Sequence, residues 1–337
     1  MVRRLFMVLA ALLASMAGAG PAASQPAPAR IVAVGDLHGD YAAWIDIAKA
    51  AGLIGRNLRW TGGRTVLVQT GDITDRGPDS LKIIRHLQQL QRQARSAGGN
   101  VIVVLGNHEA MQVTGDLRYV HPGEYAAFAD RQSERRRDQA YEANKASIEA
   151  YFRTKDATLS PAAIKAMWIA ETPLGKVEHN TAWGPNGDLG KWASSLPAVA
   201  KVGSTLFAHG GISANYALVP MSEVNRRARI ALETGTTDRA AIINDEFGPL
   251  WYRGLVTGTG AGGRPTAANE LAVALKAFGA KRLVIGHTPS LKGVVIDFDG
   301  QLVRIDTGIS RAYGGVLGWV EIAGDQVTPK VTNRSSP

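Results

Sequence analysis

Gly71-Asp72-Ile73-Thr74-Asp75-Arg76-Gly77 sets two carboxylates and a guanidinium directly after the apolar run Val66-Leu67-Val68-Gln69. A β-branched and aliphatic run closed by a glycine reads as a buried strand, and the loop beyond such a strand is where open α/β sheets hold ligands. Four further apolar runs end in the same way. Residues 31–34 lead into Gly35-Asp36-Leu37-His38-Gly39-Asp40, residues 101–105 into Gly106-Asn107-His108-Glu109, residues 205–208 into His209-Gly210-Gly211, and residues 283–285 into Gly286-His287-Thr288. Of the seven histidines, His38, His108, His209 and His287 stand in these loops, whereas His86, His121 and His179 lie elsewhere and read as ordinary core or surface residues.

Carboxylate, imidazole and amide oxygen together suit borderline and harder divalent ions such as Mn, Fe or Zn. The chain has no cysteine, which excludes disulfides, thiolate nucleophiles and cysteine-bound metals. Asp36 and His38 can reach one ion, and Asp72 can bridge it to a second that Asn107, His209 and His287 complete. A water shared by two ions about 4 Å apart becomes hydroxide near neutral pH. Such a centre suits in-line displacement at phosphorus, with Arg76 and Arg253 offering bidentate hydrogen bonds to the phosphoryl oxygens. His108, next to the ligand Asn107 but not itself a ligand, is the candidate proton donor to the leaving oxygen. Asp75 would fix its tautomer and raise its pKa, while Glu109 braces the loop. Each residue alone has a plainer role: a histidine at a strand end is usually hydrogen-bonded in the core, Arg76 can simply pair with Asp75, and Trp251-Tyr252-Arg253 can be an aromatic patch with a stacked cation. Five loops of one pattern favour a shared site.

The elements that must position these loops alternate strand, loop and helix. Asp40 caps a helix with Trp44, Ile45, Ile47, Ala48 and Ala51 on its apolar face, closed by Gly52; Pro78 and Asp79 open a second bearing Leu81, Ile84, Leu87 and Leu90, closed at Gly98-Gly99. Both begin at loops with candidate anion ligands, where the electropositive helix N-terminus suits phosphate. Residues 123–170 break the alternation and read as a helical insertion over the site, its second helix opened by Ser160 and Pro161. The charge-dense run 131–138 reads as a solvated face, since aromatic residues among it are too sparse for a nucleic-acid patch. Strand is expected again over 200–209, helix over 222–233 and 267–278, and strand over 282–286, 293–298, 301–306 and 315–322. The glycine-rich stretch 254–263 lacks the Lys-Ser/Thr ending of a phosphate-binding P-loop and reads as a mobile loop; residues 324–337 read as a loose C-terminal tail.

At 337 residues, with 45% apolar and 20% charged side chains, the chain can bury one large core or two modest ones. Its net charge of +9 favours anionic partners, although solubility alone accounts for such an excess equally well. Residues 1–24 have the parts of an export signal: Arg3-Arg4, an apolar run over 5–14, and a small-residue exit at Ala22-Ala23-Ser24, with cleavage expected before Gln25 and a linker over 25–30. The run falls short of the roughly 20 apolar residues of a membrane span, so a periplasmic or secreted product without a span is expected. Arg3-Arg4-Leu5-Phe6 resembles a twin-arginine leader, which leaves the Sec and Tat routes both open.

Taken jointly, Gly-Asp-x-His-Gly at 35–39, Gly-Asp-x-x-Asp-Arg-Gly at 71–77, Gly-Asn-His-Glu at 106–109, His-Gly-Gly at 209–211 and Gly-His-Thr at 286–288 resemble the calcineurin-like metallophosphoesterase superfamily. The Asp-Arg-Gly and Asn-His-Glu forms are similar to its phosphoprotein phosphatase branch. Pro-Leu-Trp-Tyr-Arg-Gly at 249–254, with Leu206-Phe207-Ala208-His209-Gly210-Gly211-Ile212, is most similar to the Shewanella-like bacterial phosphatases. The resemblance implies an α/β fold, the αββα sandwich of two mixed sheets flanked by helices, as a catalytic domain over 31–323. It implies two divalent ions, manganese foremost with iron or zinc as alternatives, one on Asp36, His38 and Asp72, the other on Asp72, Asn107, His209 and His287. It likewise makes His108 the proton donor supported by Asp75, and Arg76, Asn107 and Arg253 the phosphate-binding residues. Gly-His-Thr replaces the Arg-Ala-His-Gln of the eukaryotic enzymes, so their toxin sensitivity and regulatory subunits do not carry over. The reading is an exported hydrolase of phosphorylated proteins or peptides. The alternatives are a dinucleoside polyphosphate hydrolase on the same scaffold and a non-catalytic phosphate-binding module. Oligomeric state is not legible.

Overall fold

A computed structural model describes residues 30–258 and 266–335; the expected export signal, and the linker up to residue 29, lie outside them. Ten strands run through the described residues: β1 Ile31–Val34, β2 Val66–Gln69, β3 Asn100–Val103, β4 Val199–Val202, β5 Thr205–Ala208, β6 Arg282–Ile285, β7 Val295–Asp297, β8 Leu302–Arg304, β9 Leu317–Ala323 and β10 Gln326–Thr332. They form two mixed five-stranded sheets, ordered β10-β9-β1-β2-β3 and β4-β5-β6-β8-β7. In the first, β1, β2 and β3 are parallel, with Ile31 opposite Val66 and Val66 opposite Asn100. In the second, β5, β6 and β8 are parallel, with Leu206 opposite Leu283 and Leu283 opposite Leu302.

Alternation along each strand explains why these runs are apolar throughout. Ile31, Ala33 and Val68 of one sheet meet Phe207, Val284 and Val303 of the other in a shared apolar layer, so the sheets pack face to face. Their neighbours Val32, Val34, Leu67, Leu206, Leu283 and Ile285 face outward into the helices. A strand buried on both faces has no polar side to show. The sandwich expected from the family likeness is the one observed.

Between the first three strands run α1 Tyr41–Ala50, α2 Ser80–Ser96 and, after β3, α3 Asn107–Thr114. Trp44 and Ile47 of α1 and Ile84, Leu87 and Leu90 of α2 are buried as their spacing requires. The Asp40 side chain accepts from the Ala43 amide and caps α1 as expected. Asp79 makes no such bond at α2; the buried Glu124 accepts from the Ser80 amide at 2.8 Å instead. Glu124 lies on α4 Pro122–Ala126, the start of the insertion, which continues through α5 Ser133–Lys155 and α6 Pro161–Glu171. It then runs beyond the expected limit of 170 into α7 Lys176–Trp183 and α8 Asp188–Ser194, whose Trp183, Leu189 and Ala193 join the main core.

The strand expected over 200–209 is the β4–β5 hairpin. The helices expected behind it are α10 Met221–Thr234 and α12 Ala267–Ala277, with the single-turn α9 Ala214–Ala217 and α11 Gly254–Thr257 preceding them. Of the glycine-rich stretch 254–263 expected to be a mobile loop, residues 259–263 lie outside the described residues. The segment 324–337, expected to be loose, is instead β10 through Thr332, antiparallel to β9 over seven residue pairs. Pro329 is compatible with a strand here because β10 is an edge strand, the setting in which sheets admit proline. Beyond it Arg334 bonds Asp40, and the Ser335 amide bonds Asp46.

Candidate active site

The five loops singled out by sequence follow β1, β2, β3, β5 and β6, and the carboxyl ends of these parallel strands bring them to one place. Backbone and side chain lash them together. The amides of Leu37 and His38 both donate to the Asp72 carbonyl, at 2.9 and 3.0 Å, and Gly39 donates to Ile73 at 2.8 Å. Fully buried Glu109 accepts from the amides of Asp72, Ile73, Thr74 and Gly106, which is the bracing role expected of it. The His287 amide reaches both Asp36 carboxylate oxygens, at 3.2 and 3.1 Å. His38, Asp72, Asp75, Arg76 and His287 all hold positive φ, five of the eight non-glycine residues that do so among those described. Left-handed backbone at such residues costs roughly 1–3 kcal/mol each and persists where the surroundings over-determine it, commonly at functional sites.

Asp36, His38, Asp72, Asn107, His209 and His287 are all buried here. Hydrogen-bond partners fix the tautomers. His209 Nδ1 faces the Thr70 carbonyl at 2.8 Å and must donate, leaving a lone pair on Nε2; His287 Nε2 faces the Trp251 carbonyl at 3.2 Å, leaving one on Nδ1. That His209 Nε2 lies 3.1 Å from His287 Nδ1, 2.9 Å from Asn107 Oδ1 and 3.2 Å from Asp72 Oδ2. With both rings in the neutral form that ligation needs, four lone-pair atoms converge there, an arrangement that a cation between them satisfies. His38 Nδ1 donates to the Thr74 carbonyl, so its Nε2 lone pair faces the same Asp72 oxygen, Oδ2, at 3.8 Å. His38, Asp72 and His108 form one compact group of donor atoms, and Asp72, His209 and His287 another, with Asp72 common to both. Asp36 stands outside these two groups, its carboxylate against the His287 amide.

The electrostatics match. Burial pushes His38 down to about 3, and burial with the neighbouring His209 pushes His287 down to about 2, so both are neutral and able to ligate. Burial would raise Asp72, but His209 and His108 hold it well below the usual carboxylate range. Asp36 is raised by burial and by the carboxylates of Asp306 and Asp72. Buried acids that crowd one another around neutral imidazoles make a donor set short of positive charge, which fits divalent ions.

His108 differs from the other three site histidines. Its Nδ1 is 2.5 Å from Asp75 Oδ2, and the second Asp75 oxygen accepts from Gln112 at 2.6 Å. Burial lowers His108, but the Asp72 charge and the Asp75 hydrogen bond outweigh it and hold its pKa above the ordinary value. Its Nε2 lies 3.4 Å from Arg76 Nη2. With Asp75 engaged by His108 and Gln112, Arg76 lies instead against the rings of Tyr119 and Tyr313, at 4.8 and 4.9 Å, and its buried Nε has no protein partner. Arg253, at the exposed rim, donates to the His287 carbonyl and the Thr288 hydroxyl at 2.8 and 3.0 Å rather than stacking on its aromatic neighbours.

Sequence reasoning missed Gln112, Tyr119, Tyr313 and Asp306. Asp306 is buried, with its pKa pushed up to about 6 by that burial, and accepts from the Gly308 amide. It closes the run of β8 as Asp306-Thr307-Gly308, a sixth strand end with an acid and a glycine, so the signal was present. The tyrosines sit in connecting segments with no such mark.

Residues 29–291 match the family described as calcineurin-like phosphoesterase. The chain belongs to that family. This calcineurin-like phosphoesterase is similar to Shewanella-like protein phosphatase 2 of Arabidopsis thaliana, with 32% identity over 84% of this chain and 72% of that protein. It is also similar to an uncharacterized protein of Schizosaccharomyces pombe, with 31% identity over 86% of this chain and 75% of that protein. Among solved structures it is similar to the cold-active protein-tyrosine phosphatase of a psychrophilic Shewanella species, with TM-score 0.64 and 26% identity over 90% of this chain and 80% of that one. The calcineurin-like phosphoesterase is therefore a phosphoester hydrolase, and its family brings divalent metal ions to a donor set that fits them.

Proposed function

We propose that this calcineurin-like phosphoesterase is an exported, dinuclear-metal-dependent phosphomonoesterase acting on phosphorylated proteins or peptides. The observation that carries the reading is the convergence of His209 Nε2, His287 Nδ1, Asn107 Oδ1 and Asp72 Oδ2 beside a protonatable His108. Asp36, His38 and Asp72 would hold one ion, and Asp72, Asn107, His209 and His287 the other, manganese being the first choice over iron or zinc. When bound, the ions supply a nucleophile drawn from water and offset charge on the phosphoryl oxygens.

The chain's own residues do the rest. Arg76, held against two rings, and Arg253 at the rim orient the phosphoryl group. Asp75 ties down His108 Nδ1 and so leaves Nε2 to face the ester. As the new oxygen–phosphorus bond forms, the bond to the leaving oxygen breaks and the Nε2 proton passes to that oxygen. No bond to a protein atom is required. The likeness to Shewanella-like and tyrosine phosphatases supports phosphoproteins as the substrate class.

The test is hydrolysis of phosphopeptides by the purified, metal-stripped protein with Mn, Fe or Zn added singly. Turnover with at least one ion is expected; none with any ion would overturn the reading. Release of nucleoside diphosphates from a dinucleoside polyphosphate at rates far above phosphopeptide cleavage would instead favour the dinucleotide substrate. Export rests on the pattern of residues 1–24, and N-terminal sequencing of the mature protein should begin at Gln25. An intact Met1 terminus in a cytoplasmic fraction would refute it.

A further inference from the structure

We infer that Tyr119 selects aryl over alkyl phosphate monoesters, so that the site takes phosphotyrosine in preference to phosphoserine and phosphothreonine; the inference rests on the phosphomonoesterase reading above. Tyr119 lies between α3 and α4, and its carbonyl accepts from the Arg76 amide at 3.0 Å, which fixes the segment to the phosphate-binding loop. Its ring covers one face of the Arg76 guanidinium, stands 5.3 Å from the His108 ring, and remains 41% exposed. The exposure decides the argument, because a wholly buried ring could touch no substrate.

The leaving oxygen must lie within about 3 Å of His108 Nε2 to receive its proton. Whatever is bonded to that oxygen then extends outward beside His108, whose ring has the partly exposed Tyr119 ring 5.3 Å away. In a phosphotyrosine the bonded group is itself an aromatic ring, and ring pairs attract at centroid separations of roughly 4.5–7 Å. Phosphoserine and phosphothreonine place a short aliphatic stem and peptide backbone there, which gain no such pairing. Tyr313 provides the contrast. It too lies against Arg76, at 4.9 Å, but the imidazole its ring meets is that of the metal-side His38, at 5.5 Å, rather than that of His108. Both tyrosines hold the arginine, and of the two only Tyr119 also meets the His108 ring.

The experiment compares kcat/KM for one peptide sequence carrying phosphotyrosine or phosphothreonine, on the metal-loaded wild type and on Tyr119→Leu, Tyr119→Phe and Tyr313→Leu. Any loosening of Arg76 weakens both substrates alike and cancels in the ratio. Wild type should favour the aryl ester. Tyr119→Leu should lower the aryl-to-alkyl ratio about fivefold, the scale of one aromatic pair, while Tyr119→Phe keeps the ratio and Tyr313→Leu lowers both rates without changing it. An unchanged ratio in Tyr119→Leu, or an equal change in Tyr313→Leu, would overturn the assignment while leaving the phosphatase reading intact. Absence of wild-type turnover on both peptides would remove that reading, and this inference with it.

Discussion

His108 and His209 are built from the same side chain and sit in one site, yet their hydrogen bonds give them opposite tasks. His209 donates to a backbone carbonyl and keeps a bare nitrogen for a cation; His108 is tied to a carboxylate and keeps its proton. Replacing His108 by Asn should therefore reduce kcat by about 10²–10⁴-fold while metal content, read by elemental analysis, stays at the wild-type level. The loss should be smaller on aryl esters, whose phenol (pKa about 10) departs with less help from an acid. Equal activity in the variant would remove His108 from the mechanism. The ligand types and their loops could be read from the sequence because each lies in a glycine-marked strand end. Tyr119, Tyr313 and Gln112 could not, since their roles depend on which distant segment folds against Arg76 and Asp75.

At the scale of elements, the loops are held by each other more than by their own strands. Gly286 shows how little room remains: a Cβ there would lie 2.3 Å from Asp36 Oδ1. Gly286→Ala should push the carboxylate off the His287 amide and weaken metal binding by about 10–100-fold, as loss of a supporting contact commonly does. Metal titration of the folded variant would read this, and wild-type affinity would show that Asp36 has slack. The insertion makes a separate prediction. His179 of α7 is packed edge-on against Tyr125 and Phe128, both at 5.1 Å, and burial lowers its pKa from 6.5 to about 4. The unfolded chain binds that proton first, so the penalty is absent above about pH 6.5, grows as pH falls, and is complete below about 4. His179→Phe should shrink the stability difference between pH 8 and pH 4 by about 3 kcal/mol, measured by denaturant unfolding at both values. An unaltered difference would contradict the assignment. Element boundaries were less legible than the loops: α7 and α8 lie past the charge-dense stretch that marked the insertion, and Pro329 disguised β10.

Across the whole molecule, two sheets share one apolar layer and present the carboxyl ends of their parallel strands on a common edge, where open α/β folds bind ligands. Local periodicity could not have built this. β1 lies between β2 and β9, with Ile31 opposite both Val66 and Ile322, and a four-residue apolar run says nothing of which partner it takes. The sandwich followed from the family likeness carried by the loops. Among the described residues no helix is long and apolar enough to cross a membrane. The central claim is that six side chains on this edge hold two cations about Asp72. Its most direct test is an anomalous-scattering map from crystals of the protein grown with manganese. Two peaks about 4 Å apart are predicted, one beside His38 and one between His209 and His287, both within bonding reach of Asp72. A map with no peak there, or with a single ion not touching Asp72, would contradict the account.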